Sequence, residues 1–190
     1  MGEPSELELI DGLRRGEPAA FDRVYALYKV RIYTFLYRLG GRRDLADDLL
    51  QETFLRLARS ATGLREDTTL AAWLFTVARN QFRNHQRWRV LDAARIRGLA
   101  DEPLDRGAGP ERETAVRGEL AALEAALGAL SPTYREVLLL VAVEGLEPQE
   151  VARILGIEYG AVRQRLSRAR ALLAERLEAR ETMKRAGGAR

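Results

Sequence analysis

The chain has 190 residues with a formal net charge of +3, no cysteine and a single histidine, His85. This composition excludes disulfide frameworks, thiolate metal sites and histidine-rich zinc sites, and the length suits one ordinary domain or two small ones. The apolar run at residues 137–143 is far shorter than the roughly 20 residues of a membrane-spanning helix, and the first residues lack the pattern of a signal peptide. We therefore expect a cytoplasmic protein without membrane insertion.

Two helices are predicted in the first part of the chain. Apolar residues recur at steps of three and four from Pro18 to the glycine pair at residues 40–41, which predicts one long amphipathic helix. A second helix is predicted over residues 44–58. Its polar side gathers Asp44, Asp47, Asp48, Gln51 and Glu52 beside Leu55.

The polar side of residues 44–58 has two explanations. Acidic residues stabilise the start of a helix through its dipole, which accounts for the three aspartates but not for Glu52 and Leu55. An acidic and amide surface with an apolar centre is instead typical of a docking site for a basic protein helix.

A third helix is predicted over residues 68–88, after a polar loop at residues 60–69. Arginines recur there every four residues beside amide and aromatic side chains, a chemistry that suits single-stranded or melted nucleic acid. The alternative is an aromatic core with solvated arginines, and we expect Trp73 to lie mostly in the core. The side chains concerned are Trp73, Phe75, Arg79, Asn80, Phe82, Arg83, Asn84, His85, Arg87 and Trp88.

Residues 91–112 are charged, poor in apolar residues and interrupted by proline and glycine, so we interpret them as a flexible interdomain linker, in part helical over 91–99. A second helical bundle is predicted over residues 113–180, with a frayed tail at 181–190. The predicted fold is all-α, with two small helical domains, 1–90 and 113–180, joined by the linker.

The stretch PQEVARILGIEYGAVRQRLSRAR, residues 148–170, predicts two helices joined by a tight glycine-containing turn, the helix-turn-helix arrangement. Such a second helix buries one stripe and presents guanidinium and amide groups to the major groove of DNA. A solvated charged face is the alternative, but the turn and the arginine bias together favour DNA recognition. The polar residues of the second helix are Arg163, Gln164, Arg165, Ser167, Arg168 and Arg170.

The distribution of charge agrees with two contact surfaces for a polyanion. Residues 79–97 and 151–190 are rich in arginine, whereas residues 101–150 are acidic. Arginine suits phosphate and guanine recognition through its bidentate fork, although a GC-rich genome would give the same bias.

Taken in chain order, these segments resemble the extracytoplasmic-function (ECF) group of the bacterial sigma-70 family. DLADDLLQETFLRL, residues 44–57, resembles the core-polymerase-binding segment of region two. AAWLFTVARNQFRNHQR, residues 71–87, resembles the helix that reads the minus-ten promoter element. Residues 129–173 resemble region four, which reads the minus-thirty-five element. The interval between the halves is too short for the third domain of primary sigma factors.

The resemblance implies an initiation factor without catalytic residues, cofactor, metal or small-molecule substrate, whose partners are core RNA polymerase, promoter DNA and an anti-sigma factor. The loop at 60–69 would capture a flipped base of the non-template strand. The implied contacts are Asp48, Gln51, Glu52 and Leu55 to polymerase, Arg79, Asn80, Arg83 and Arg87 to the minus-ten element, and Arg163, Gln164, Ser167 and Arg168 to the minus-thirty-five element.

Two departures and one rival function stand beside this interpretation. Many relatives have a hydroxyl residue where this chain has Ala161, and a polar cap where it has Glu147 and Pro148, so other groups must cap these helices. The rival is a conventional helix-turn-helix regulator that acts without polymerase. It would leave the polar sides of the helices at 44–58 and 68–88 unexplained. No enzyme motif is present.

Overall fold

The computed structural model describes residues 4–95 and 115–187, and within them the chain forms helices and turns and no strand. The all-α prediction is confirmed. The chain divides into two compact units, Met1–Asp105 and Arg106–Arg190. The helices of the described residues are α1 (Glu6–Arg14), α2 (Pro18–Gly40), α3 (Arg43–Ser60), α4 (Leu70–Arg95), α5 (Ala115–Gly128), α6 (Pro132–Leu138), α7 (Pro148–Leu155) and α8 (Tyr159–Gly187).

Helix α1 precedes the first helix that the apolar periodicity predicts. It begins with a capping box: the Ser5 backbone N–H donates to the Glu8 carboxylate at 2.7 Å, and the Glu8 N–H donates to Ser5 Oγ at 3.3 Å. Leu9, Ile10 and Leu13 are buried on its inner face, against α2 and the 3₁₀ turn that follows α3. The spacing of serine and glutamate was the available signal.

The core of the first unit lies between α2, α3 and α4. Val24, Ile32 and Phe35 of α2 are buried, and the Phe35 ring meets the Phe75 ring edge-on at 5.3 Å between centroids. Gly40 allows the end of α2 to approach α4 closely, since a Cβ there would lie 2.8 Å from the Phe82 ring. The helices predicted from periodicity therefore exist, with boundaries close to those expected.

The second unit contains a half-buried cation that connects α6 to the end of α5. The Arg135 guanidinium of α6 donates to the carbonyl oxygens of Leu127 at 2.9 Å and Leu130 at 2.8 Å, and also to that of Gly128. Leu127 and Gly128 lie at the end of α5, where carbonyl groups lack partners within the helix, and Leu130 lies in the turn that follows. Burial lowers the pKa of Arg135, and the three acceptors keep its charge satisfied.

Helix α8 is longer than predicted. It continues to Gly187, whereas a frayed tail was expected from Glu181. The Arg180 guanidinium donates to the Ala122 carbonyl oxygen of α5 at 3.2 Å, which ties the late turns of α8 to the bundle. Of the predicted linker, residues 91–95 belong to α4, and residues 96–112 lie outside the described residues, as does the predicted start of the second bundle near Glu113.

Candidate functional surfaces

Four side chains of α3 form a polar surface with an apolar centre, here called the α3 patch: Asp48, Gln51, Glu52 and Leu55. Their spacing of three and four residues places them on one face of the helix. Glu52 is half-buried and the other three are exposed, with Leu55 43% exposed. The four side chains therefore share one face of α3 that reaches solvent.

Buried polar contacts fix the opposite side of α3 on α4. The Thr53 hydroxyl lies 2.7 Å from the Leu49 carbonyl oxygen and 3.3 Å from Gln81 Oε1, and both Thr53 and Gln81 are buried. A buried polar pair has few alternative arrangements, because either group alone would lose its partner. This contact adds a polar link between the two helices that carry the predicted polymerase and minus-ten contacts.

Two titratable groups at or beside the start of α3 have shifted pKa values. The Arg42 guanidinium, together with the backbone N–H groups at the start of the helix, lowers the pKa of Asp44 to about 2, so this carboxylate is charged at neutral pH. Burial, aided by Arg89 and Arg42, lowers the pKa of His85, which leaves the imidazole neutral at pH 7. The described residues hold no cluster of histidine and acidic side chains that could bind a metal ion.

The predicted arginine stripe of α4 is exposed at two of its three arginines. Asn80, Arg83 and Arg87 face solvent, whereas Arg79 is only 6% exposed. Arg79 is buried because it lies four residues after Phe75 and three before Phe82, two core residues on the inner face of α4. The expectation of three equivalent surface arginines is wrong at this position.

The aromatic residues of α4 divide between core and surface. Phe75 and Phe82 are buried, Trp73 is half-buried, and Trp88 is 62% exposed. Only Trp88, among these four, offers most of its ring for stacking on a base.

The loop before α4 makes several contacts within itself. It starts with a 3₁₀ turn at Ala61–Gly63, and Ala61 and Leu64 are buried beneath it. The Arg65 backbone N–H donates to Thr68 Oγ1 at 3.1 Å, and the Arg65 guanidinium pairs with Asp67 at 2.9 Å.

Helices α7 and α8 form the predicted helix-turn-helix. Gly156 closes α7 in the left-handed conformation, with φ of 64°, which a residue with a side chain adopts only at a cost. The buried stripe that joins the helices consists of Val151, Ile154, Leu155, Val162, Leu166 and Ala169.

Backbone groups and a carboxylate replace the missing hydroxyl caps. The Glu150 carboxylate accepts a hydrogen bond from the Glu147 backbone N–H at 3.2 Å before α7. At the start of α8, the Glu158 carbonyl oxygen accepts from the N–H groups of Ala161 at 3.0 Å and Val162 at 3.2 Å. Ala161 is the third residue of α8, and its own N–H is paired with Glu158, so its lack of a hydroxyl leaves the turn intact.

All four predicted DNA-facing side chains of α8 are exposed: Arg163, Gln164, Ser167 and Arg168. The structure adds Tyr159, the first residue of α8, which is 44% exposed and whose ring centroid lies 6.0 Å from the Arg163 guanidinium carbon. This cation–π contact limits the orientations of the guanidinium. The spacing of four between tyrosine and arginine on one helix was the signal in the sequence.

Known proteins share both units. The models "Sigma-70 region 2" and "Sigma-70, region 4" match residues 24–90 and 120–173. The chain is 32% identical over 176 residues to the RNA polymerase sigma factor CnrH of Cupriavidus metallidurans, covering 86% of this chain and 90% of that protein. It is 34% identical over 187 residues to the ECF RNA polymerase sigma factor SigE of Mycolicibacterium smegmatis, covering 92% and 68%.

A solved structure agrees with these matches. The sigma factor RpoE in complex with the anti-sigma factor NepR, from Bartonella quintana, superposes with a TM-score of 0.73 at 28% identity, covering 83% of this chain and 96% of that one. In the part of this chain that is described, no helix is long and apolar enough to cross a membrane.

The two family models and the relatives together show that the chain belongs to the ECF group of the sigma-70 family, the initiation factors that bind core RNA polymerase and direct transcription from specific promoters.

Proposed function

We propose that three surfaces of this sigma factor have separate roles in transcription initiation. The α3 patch docks on core polymerase, the exposed face of α4 with the loop at residues 60–69 holds the melted minus-ten element, and α8 reads the minus-thirty-five element. The observation that carries the proposal is that every predicted contact side chain except Arg79 reaches solvent from a helix whose other face is packed. Residues 91–112 set the span between the two modules, 1–90 and 113–180.

Polymerase docking follows from charge and shape. The α3 patch offers two carboxylates, one amide and an exposed leucine. This combination fits a partner helix that carries basic residues around an apolar contact. The partner surface is on core polymerase, because the chain acts as a sigma factor.

Strand capture is assigned to Asn80, Arg83, Arg87 and the loop, with Trp88 as a stacking surface. Flipping a base out of a duplex costs a few kcal/mol. Contacts with polymerase must offset that cost, so the isolated protein should bind promoter DNA poorly. Arg79, being buried, supports the position of α4 and does not itself contact the strand.

Arg79 and Arg83 give a matched pair of variants on one helix. Arg79→Ala should lower the free energy of unfolding by about 1–3 kcal/mol through lost packing and hydrogen bonds. Arg83→Ala should change it by less than about 0.5 kcal/mol. Both tryptophans lie in the first unit, so denaturant titration followed by tryptophan fluorescence reports on that unit alone.

The same pair separates folding from binding. Arg83→Ala, in holoenzyme, should bind a single-stranded minus-ten oligonucleotide more weakly, with a salt slope smaller by about 1. A wild-type unfolding midpoint for Arg79→Ala would contradict the structural role given to that residue.

Regulation is proposed by analogy with the relatives. The RpoE relative forms a complex with an anti-sigma factor, and we propose a partner of this class for this chain too. The chain would meet it in the cytoplasm, where polymerase works, and would act without catalysis of its own.

The decisive experiment is in vitro transcription with bacterial core polymerase, with and without this protein, on DNA fragments from the source genome. We expect new, discrete transcripts whose promoters share a two-part upstream motif. The rival function, a helix-turn-helix regulator, would give tight operator binding by the protein alone and no polymerase-dependent transcripts. That result would overturn the proposed surfaces.

A further inference from the structure

Helix α1 lies outside the part of the chain that matches the region 2 model, which begins at residue 24. It nevertheless packs against both α2 and the 3₁₀ turn Ala61–Gly63, the first part of the loop assigned to base capture. Its apolar face is buried there. The helix therefore has a structural relation to the loop that the shared family segment does not include.

Glu6 of α1 connects directly to the other end of the loop. Its Oε1 accepts a hydrogen bond of 2.7 Å from the backbone N–H of Leu70, the first residue of α4. The first N–H groups of a helix have no partner within the helix, and a carboxylate also interacts favourably with the positive end of the helix dipole. A residue 64 positions earlier in the chain thus caps the helix that carries the minus-ten contacts.

A second contact reaches the middle of the loop. Arg14 Nη1 of α1 lies 3.4 Å from Glu66 Oε1. Both side chains are substantially exposed, so this ion pair contributes less than the Glu6 cap. Together with the buried Ala61 and Leu64, these contacts hold the loop at its start, its middle and its exit into α4.

We infer that α1 positions the base-capture loop, and that Glu6 is the positioning residue that fixes the exit of the loop into α4. The inference rests on the proposed capture function of residues 60–69. A loop already held in its binding conformation loses less conformational entropy when it takes a base than a loop that must first be ordered. Glu6 acts through the loop and touches no DNA itself.

The test compares Glu6→Ala with wild type as holoenzyme on a promoter recovered by in vitro transcription. An abasic site is scanned through the non-template minus-ten strand, and the position where wild type loses most open complex marks the captured base. On the intact promoter, Glu6→Ala should form open complex about five-fold less, the usual effect of losing one helix cap. On the promoter with that abasic site the variant and wild type should be equal.

Two controls keep the outcome specific to the cap. Glu6→Gln retains an oxygen acceptor and should recover most of the lost open complex, and Asp22→Ala, which removes an exposed carboxylate of α2, should form open complex like wild type. If Glu6→Ala folds poorly, Glu66→Ala on the loop surface should show a smaller loss with the same dependence on the captured base.

Each remaining outcome is informative. An equal loss for Glu6→Ala on intact and abasic promoters would show a merely structural role and overturn the inference, as would no loss on either. A wild-type enzyme insensitive to abasic sites throughout the element would instead overturn the proposed capture function of the loop, and the inference with it.

Discussion

Replacing Glu52 with arginine is expected to weaken binding to core polymerase by about 2–3 kcal/mol, on the order of 30- to 150-fold. Glu52 is half-buried in the α3 patch, between exposed Asp48 and Leu55. The substitution removes an attractive charge and places a cation opposite a basic partner surface, so the loss exceeds that of a neutral truncation. Equilibrium binding to core enzyme with fluorescently labelled protein measures it.

The control for Glu52→Arg is Asp22→Arg, which makes the same change of charge at an exposed position of α2 outside the patch. It should bind core enzyme within about two-fold of wild type, because a single exposed substitution away from an interface changes little. Both variants should unfold at the wild-type denaturant concentration. Core binding by Glu52→Arg equal to that by Asp22→Arg would remove the α3 patch from the polymerase interface.

Helical periodicity predicted most of this fold because its source is local. The apolar face of α2 and its glycine end, the turn of the helix-turn-helix and the Pro132 start of α6 are each specified by residues within a few positions of one another. Apolar periodicity does not predict helix α1, because the helix is short. Its signal in the sequence is the capping box of Ser5 and Glu8. The composition of the last turns of α8 predicts fraying. In the structure the contact of Arg180 with α5 stabilises these turns.

Surface and core were harder to separate than helix and loop. Arg79 was assigned to the surface from its charge and its spacing to Arg83, although its spacing to Phe75 and Phe82 places it equally well on the inner face. The role of Arg135 has no signal in the sequence, since its acceptors are carbonyl groups at and just after the end of another helix. A long cation with an aliphatic stem fits either environment, and only tertiary structure decides between them.

The contacts that organise the candidate site are those with no local signature. The hydrogen bond from Leu70 to Glu6 and the Thr53–Gln81 pair join positions far apart in the chain. Residue type and spacing predict which side chains of α3, α4 and α8 reach solvent, with Arg79 as the exception. The sequence does not identify the residues that hold these helices in place, because tertiary packing decides which partners those residues contact.

Arg168→Ala is expected to weaken use of promoters by about 1–3 kcal/mol and to relax the requirement for one base of the upstream element. Arg168 is exposed on α8, one turn after Gln164 and beside Ser167. We expect this arginine to bind a guanine edge through two parallel hydrogen bonds, which alanine cannot replace. Transcription by holoenzyme from promoters substituted base by base across the element measures both effects.

Arg176→Ala is the matched control, with the same loss of charge on the same helix about 12 Å further along its axis. It is exposed and should leave both promoter strength and base preference near wild type. A uniform loss across all substituted promoters for Arg168→Ala, with a salt slope smaller by about 1, would make Arg168 a phosphate contact. Arg163, whose guanidinium already lies over the Tyr159 ring, would then be the residue that recognises a DNA base.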